Sequence, residues 1–595
     1  MSLPLLTSTI HHFAEAARPC LHYLADAEKG KWQPISCAEF KDSVLALAAG
    51  LLKLGVEVQQ CVGIFSENRP EVLMTHFAAW QIRALTVGIY ATSSVPQAEF
   101  IVRDSGMQVL VVGSQSHYDS ARQTGVKTIV AIDPEVKFDA DDHTSITFSQ
   151  LLKLGTEAEA KRVDKIYPEA EEDDLATLIY TSGTTGQSKG AMLTQGNFSA
   201  CLTYHRQCLT SLTQDDTSLN FLPLSHIFEM AWSCFCIYMG IPVYVNQDPH
   251  RVQQSLRETH PSCMCSVPRF WEKVYTAVRE KQAKMGLVTR TMMKRALKVG
   301  IRRNLQYVRH GLKVPALLER EYQMYNKRIF RKVRSVIGVE RGNIFPTAGA
   351  PLADDIVAFC HGIGINIVIG YGLSETTATV SFYPYKDYAI GSVGRPLPEL
   401  DVKIGPDNEI LVKGATVMTG YYNRPEQTEE VFTADGYFRT GDAGRLDDEG
   451  NLYLTERIKD LFKTSNGKYI APQALESRLS SDTLFDQVAV IGDQRKFVSA
   501  LIVPDYAALE KFAKEHKLGD LTREELATNP RVIEHVQGRI EALTSDLAHY
   551  EQIKRFTLLT TPFTIENGEL TNTLKVRRRA VADRYKSVID KMYEE

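Results

Sequence analysis

Over roughly the first 400 residues, short β-branched runs alternate with longer stretches whose apolar positions recur at helical spacing. "CVGIFS" is followed by a helical "EVLMTHFAAWQI", then "LTVGIY", a helical "AEFIVRDSG" and "QVLVVG". This alternation predicts parallel sheets covered by helices. In such sheets ligands gather where strands end and loops begin. Four apolar runs stop abruptly at polar loops: "LATLIY" before "TSGTTG", "SLNFLP" before "LSHIFE", "GNIFPT" before "AGAPL", and "INIVIG" before "YGLSETT". Those loops form the candidate site.

From about residue 400 the texture changes to short strands and tight turns such as "PDN", "ADG" and "DDEGN". "DLFKTSNGKYIAP" reads as a hairpin with a two-residue turn at Asn466-Gly467, a pair that accepts positive φ. Pro472 then opens a helix at "QALESRL". The final "KVRRRAVADRYKSVIDKMY" sets Val576, Ala580, Val581, Tyr585, Val588, Ile589 and Met592 on one helical face. A large N-terminal domain over 1–458 and a smaller C-terminal domain over 459–595 are expected.

Composition narrows the class. The 595 residues exceed a single core, and 44% hydrophobic with 24% charged residues is ordinary for a soluble globular protein. The formal charge of −4 conceals a basic segment: Arg269 to Gly342 holds 20 Lys or Arg against 5 Asp or Glu. All ten cysteines lie between Cys20 and Cys360, a distribution that suits free thiols in a reducing compartment better than a disulfide framework. Cys234/Cys236 and Cys263/Cys265 are too closely spaced for the usual zinc pair, so no metal is assigned to them. The N-terminus lacks a secretory pattern. The uncharged stretch Met230 to Gln247, broken by Gly240 and Pro242, reads as a buried helix followed by a buried strand. The expected location is cytoplasmic.

The loop "YTSGTTGQSKGAMLT", Tyr180 to Thr194, surrounds one lysine with glycines and hydroxyl side chains. Glycine lets backbone N–H groups approach a ligand, and hydroxyls add donors that match phosphate oxygens. The spacing excludes a Walker A loop, since no Ser or Thr follows Lys189. In this order the residues resemble the signature of the adenylate-forming superfamily. The resemblance continues in chain order through "FLPLSHIFE", "TAGAPL", "YGLSE", "YFRTGD", "RIKDLFKTSNGKYIAP" and "GELTNTLK". Three positions depart from its commonest pattern: Ser188, Ser374 and Asn572.

The resemblance implies a large N-terminal domain of two parallel-type sheets covered by helices, with a small β-barrel-like subdomain, and a mobile α+β C-terminal domain. It implies two half-reactions: a carboxylate displaces pyrophosphate from ATP to give acyl-AMP, and the thiol of coenzyme A then displaces AMP. Thr181, Ser182, Gly183, Thr184, Thr185, Gly186 and Lys189 fall on the phosphate loop; Glu375 falls on the Mg2+ ligand, with Thr181 approaching the same ion. Tyr371 is the expected adenine platform, with Gly349, Ala350 and Pro351 beside it and Gly372 and Ser374 in the same segment. Asp442 and Arg457 correspond to ribose ligands, His226 to the acid pocket and Lys575 to the adenylation lysine. Lys459 aligns with the pivot, and Gly467 with the position that admits pantetheine.

The basic segment 269–342 resembles the helical insert of long-chain fatty acyl-CoA synthetases, and its charge suits anionic headgroups or the phosphates of coenzyme A. Trp232 and Met230 are candidates to line an acyl channel. The expected partners are a fatty acid, ATP and coenzyme A, with peripheral contact to an anionic membrane and no nucleic acid; a homodimer stays open. Competing expectations are a fatty-acyl-AMP ligase, a medium-chain or aromatic acid ligase, and a nucleotide-binding regulatory relative without turnover.

Overall fold

The computed structural model describes residues 5–13, 16–27, 29–181, 188–457, 462–465, 469–571 and 576–594. Its largest sheet has eight strands, in the order Gly420–Tyr421, Lys189–Thr194, Leu175–Thr181, Leu85–Ile89, Cys61–Phe65, Val109–Val112, Thr128–Ala131 and Ile146–Thr147. From Leu175–Thr181 to Ile146–Thr147 every pairing is parallel, while the two pairings at the other end are antiparallel. The strands in the middle of this sheet are fully buried, which is why they read as continuous apolar runs.

A second layer joins Lys31–Ser36, Pro19–Asp26, Val243–Val245 and Ser218–Asn220. Parallel bridges Ser218↔Cys263, Cys263↔Ile344 and Ser266↔Thr347 carry it on to Phe345–Thr347 and Ile367–Tyr371. The helix Pro70–Gln81 touches strands of both layers and is buried almost all round, so its apolar residues need no single face. Trp80, fully buried, donates its indole N–H to the Ala176 carbonyl at 2.8 Å. The stretch from Met230 falls as expected into the buried helix Ile227–Met239, ended by Gly240 at φ 71°, and the strand Val243–Val245.

The small β subdomain is a four-stranded antiparallel sheet of Asp401–Ile404, Glu409–Lys413, Phe438–Leu446 and Leu452–Arg457. Towards the C-terminus, Phe485–Ile491, Val498–Pro504 and Ile553–Leu558 form a three-stranded sheet with its own helices and cores. The pairs Phe462↔Ile470 and Lys463↔Tyr469 are antiparallel, as a hairpin requires, and the turn residues Asn466 and Gly467 lie outside the described residues. One local expectation needs correction. The final helical stretch is two helices, Arg578–Arg584 and Lys586–Tyr593, because Tyr585 leaves helical geometry at φ −98° and ψ 21°. Val581, Ile589 and Met592 are nonetheless buried together. All ten cysteines are free thiols. Among the described residues no helix is long and apolar enough to cross a membrane.

Candidate active site

Three of the four polar loops singled out by the sequence border one cavity, through Phe228, Ala348 and Tyr371. Thr181 closes the strand Leu175–Thr181 opposite Lys189, and Ser188 Oγ donates to the Thr181 carbonyl at 2.8 Å. That bond ties the base of the loop where a proline is frequent in the resembling family. Ser182, Gly183, Thr184, Thr185, Gly186, Lys459, Gly467, Asn572 and Lys575 lie outside the described residues.

Lys189 leads to the acidic position through a residue the sequence reading did not single out. Its Nζ lies 4.9 Å from the ring centroid of Tyr421, a cation–π distance. The Tyr421 hydroxyl donates to Glu375 Oε1 at 2.8 Å, and the Met418 N–H donates to the Glu375 carbonyl at 2.8 Å. Tyr421 is held there by the edge strand Gly420–Tyr421, which pairs with Met192 and Ala191. Burial first, and the Glu375 carboxylate second, push the Tyr421 phenol well above its usual range, so it stays a neutral donor.

Glu375 sits in the short 3-10 turn Ser374–Thr376 and is 9% exposed. The chain then folds back sharply: Thr377 and Ala378 adopt φ 48° and 75°. Such angles cost non-glycine residues about 1–2 kcal/mol each, and Thr377 Oγ1 is anchored on the Thr416 carbonyl at 2.7 Å. A Cβ on Gly372 would collide with the Ala378 carbonyl oxygen, so this turn requires glycine there. Among the described residues no cluster of three or more His, Cys, Asp or Glu can hold a metal ion. A cation at Glu375 would therefore complete its shell from a hydroxyl, phosphate oxygens and water, which fits Mg2+ bound with a nucleotide.

Tyr371, at the end of the strand Ile367–Tyr371, donates its hydroxyl to Asp442 Oδ2 at 2.7 Å, and both residues are buried. The expected adenine platform and ribose carboxylate are thus one hydrogen-bonded unit. Asp442 faces Arg457 across the antiparallel ladder; only the backbone of Arg457 is described. Gly349, Ala350 and Pro351 are exposed just beyond the strand Phe345–Thr347, which runs parallel to Ile367–Tyr371.

Between these loops lies a small, mainly apolar cavity. Phe228, Ala231, Trp232 and Phe235 of the helix Ile227–Met239 form one side, and Thr347, Ala348, Gly370, Tyr371 and Phe382 another. Cys201, His205 and Thr379 add further polar groups to its lining. Burial lowers the pKa of His205 and pushes the Cys201 thiol up to about 12, so both are neutral in the ordinary range. His205 Nδ1 contacts the Cys201 carbonyl at 2.7 Å and Nε2 contacts Thr379 Oγ1 at 3.2 Å. Met230 is buried but does not line the cavity, whereas Trp232 does.

His226 is the N-cap of that helix; its Nδ1 accepts from the Phe228 N–H at 3.2 Å. One turn on, Glu229 is wholly buried and accepts from the Leu222 N–H at 3.1 Å and the Ser233 hydroxyl at 3.4 Å. Burial pushes its carboxyl up to about 8. Asn220 and Asn68 extend this network, and Trp232 donates to Ser218 Oγ at 3.0 Å. The loop before His226 and the cavity-lining helix are therefore fixed by one buried polar cluster.

The family comparison matches residues 13–422 to the AMP-binding enzyme family and 459–595 to the AMP-binding enzyme C-terminal domain. A Mycobacterium bovis protein named long-chain-fatty-acid–CoA ligase FadD15 is 33% identical over 95% of this chain and 93% of its own length. The rat long-chain-fatty-acid–CoA ligase ACSBG1 is 29% identical over 97% of this chain and 84% of its own. Among solved structures, the adenylation domain of a Mycobacterium chelonae carboxylate reductase superposes with a TM-score of 0.75 at 20% identity, over 100% of this chain and 94% of that one. The anthranilate CoA ligase AuaEII, solved with anthranoyl-AMP, gives 0.73 at 17% identity, over 99% and 98%. These structures share the fold, with its large N-terminal and smaller C-terminal parts. With the signature loops in order and both family matches in place, the chain belongs to the AMP-binding enzymes of the adenylate-forming superfamily.

Proposed function

We propose that this enzyme joins long-chain fatty acids to coenzyme A through an acyl-AMP intermediate, with domains dividing near residue 458. The observation that carries the reading is the pairing of two polar constellations with one apolar cavity. Lys189, Tyr421 and Glu375 form one, Tyr371 and Asp442 the other, and Tyr371 also lines the cavity. The curated relatives named as long-chain-fatty-acid–CoA ligases supply the substrate class.

In the first half-reaction a carboxylate oxygen of the acid bonds to the α-phosphorus of ATP, and the bond to the bridging oxygen breaks to release pyrophosphate. Two anions approach one another, so positive charge and fixed donors supply the catalysis. Lys189 and the loop 181–189 serve the departing phosphates; Glu375 and Thr181 are assigned to Mg2+, which when bound neutralises phosphate charge. Asp442 and Arg457 hold the ribose, and Tyr371 faces the adenine beside Gly349, Ala350 and Pro351. Lys575 is assigned to the approaching carboxylate and α-phosphate. His226 closes the acid end, and the acyl chain enters the cavity past Trp232. In the second half-reaction the thiol sulfur bonds to the acyl carbon, AMP leaves, and the thiol proton passes to solvent. Lys459 and Gly467 are assigned to the domain rotation that separates the two steps.

The test is acid-dependent pyrophosphate release across C2 to C20 acids, with and without coenzyme A, with Lys575→Ala as control. Long-chain stimulation with a coenzyme A-dependent thioester product supports the reading. Acyl-AMP that accumulates without thioester identifies an acyl-AMP ligase instead, and no release with any acid overturns both.

A further inference from the structure

The basic insert carries a surface that the ligase reading does not use. It contains the helices Pro268–Ala283, Leu287–Gln306, Ala316–Tyr325 and Arg331–Ile337. Of thirteen large apolar side chains that stand exposed among the described residues, eight fall between Leu287 and Val336, a small fraction of the chain. Leu287 at 80% and Val288 at 82%, matched only by Leu317 at 80%, are the first two residues of the helix Leu287–Gln306, and Met292 follows at 43%.

That helix has two unlike faces. Its inner face packs on the helix Asp354–Gly362 so closely that a Cβ on Gly300 would overlap the Gly362 carbonyl oxygen. Asn304 Nδ2 donates to the His361 carbonyl at 2.5 Å, and Met293, Ala296 and Val299 are buried. Its outer stripe runs from Leu287 through Lys294, Lys298 and Arg302, spaced seven, four and four residues apart and therefore aligned. The helix holds no Asp or Glu. Only Arg295 and Arg303 find carboxylates, at Glu321 and Glu319; none pairs with Arg290, Lys294, Lys298 or Arg302 among the described residues.

We infer that Leu287–Gln306 docks the enzyme on an anionic lipid surface, with Leu287 and Val288 entering the acyl boundary and Lys294, Lys298 and Arg302 meeting headgroups. An apolar leading end followed by unneutralised cations on one face is the charge and hydropathy pattern of an interfacial helix. A soluble acidic protein would match the cations but not two aliphatic side chains presented to water. The helix is short of spanning character, so contact is peripheral. The adjoining helix Pro268–Ala283 leads directly to the site: Trp271 Nε1 donates to Ser266 Oγ at 2.8 Å and to Thr347 Oγ1 at 3.0 Å, and Thr347 lines the cavity. A membrane-held helix thus lies on the arm that ends at the acyl cavity wall.

The test is co-sedimentation of the full chain with phosphatidylcholine vesicles, alone or mixed with phosphatidylglycerol, measured without substrates, so that it can fail while the ligase reading stands. The wild type should bind the anionic vesicles and release them as salt rises. Lys294→Glu/Lys298→Glu/Arg302→Glu should weaken binding at least about 100-fold. Leu287→Ser/Val288→Ser should weaken it about tenfold with the charge intact. Tyr385→Ser, an exposed aromatic outside the insert at 72%, should bind like wild type. If the charge variant melts early, the serine pair alone decides. Wild-type binding that ignores anionic lipid, or insert variants that bind like wild type, overturns the proposal. So does a solution dimer that the serine pair dissociates, because the face would then be a contact between copies.

Discussion

Tyr421→Phe isolates one hydrogen bond at the centre of the site. The ring stays, with Lys189 still 4.9 Å from its centroid, while the 2.8 Å bond to Glu375 Oε1 is lost. The acceptor is a carboxylate only 9% exposed, so water cannot readily take the donor's place. A hydrogen bond to a charged group is worth about 1.5–3 kcal/mol, which corresponds to about 10- to 100-fold in an equilibrium. If Glu375 holds Mg2+, a loosened carboxylate should bind it more weakly without losing its charge. The assay is fatty-acid-dependent exchange of labelled pyrophosphate into ATP as free Mg2+ is varied. The variant should need at least about tenfold more Mg2+ for half-maximal exchange and approach wild-type rate at saturation. Glu375→Gln should not be rescued. Because the phenol's raised pKa keeps it protonated, the wild-type advantage should persist unchanged up to about pH 10, its ordinary titration range. A Mg2+ dependence identical to wild type would refute the link from Tyr421 through Glu375 to the metal.

Two further perturbations test the buried cluster and the cavity. Burial raises the Glu229 carboxyl to about 8, so the folded chain keeps a proton that the unfolded chain loses near its ordinary value; stability should fall as pH rises through that interval and level off beyond it. Glu229→Gln should remove this slope, and melting curves with the same pH dependence in both proteins would show the carboxyl to be ionised throughout. Trp232→Ala, which removes a nearly buried indole and its bond to Ser218, should cost about 3–5 kcal/mol in urea unfolding. At temperatures where the variant is folded, KM for the acid should change more than KM for ATP; equal effects on both would separate the cavity from acid binding.

The sequence pattern located strands that are buried on both sides, because Cys61–Phe65 and Val109–Val112 leave no charged or hydroxyl position to confuse the period. It located the ends of Leu175–Thr181 and Ile367–Tyr371 because apolar runs there meet glycine-rich loops. It could not find Tyr421, which follows Gly420 in a two-residue strand and acquires meaning only through Glu375 and Lys189, both distant in the chain. Cys201 and His205 were invisible for a similar reason: they sit on the helix Gln195–Cys208 and face the cavity only because Phe382 and Thr379 arrive from elsewhere. Glu229 stands within the motif "FLPLSHIFE", yet its partners in the fold include Leu222 and Ser233, and Ser233 accepts in turn from Asn220.

The edge strand Gly420–Tyr421 also sets a schedule for synthesis. Strand Lys189–Thr194 leaves the ribosome more than two hundred residues before its outer neighbour exists, and until then its hydrogen-bonding edge is open. An uncovered edge of that kind invites pairing with other nascent chains. Fragments ended shortly before Gly420 should therefore precipitate where those that extend past the helix Pro425–Glu430 remain dispersed, and chaperone dependence should concentrate in that interval of translation.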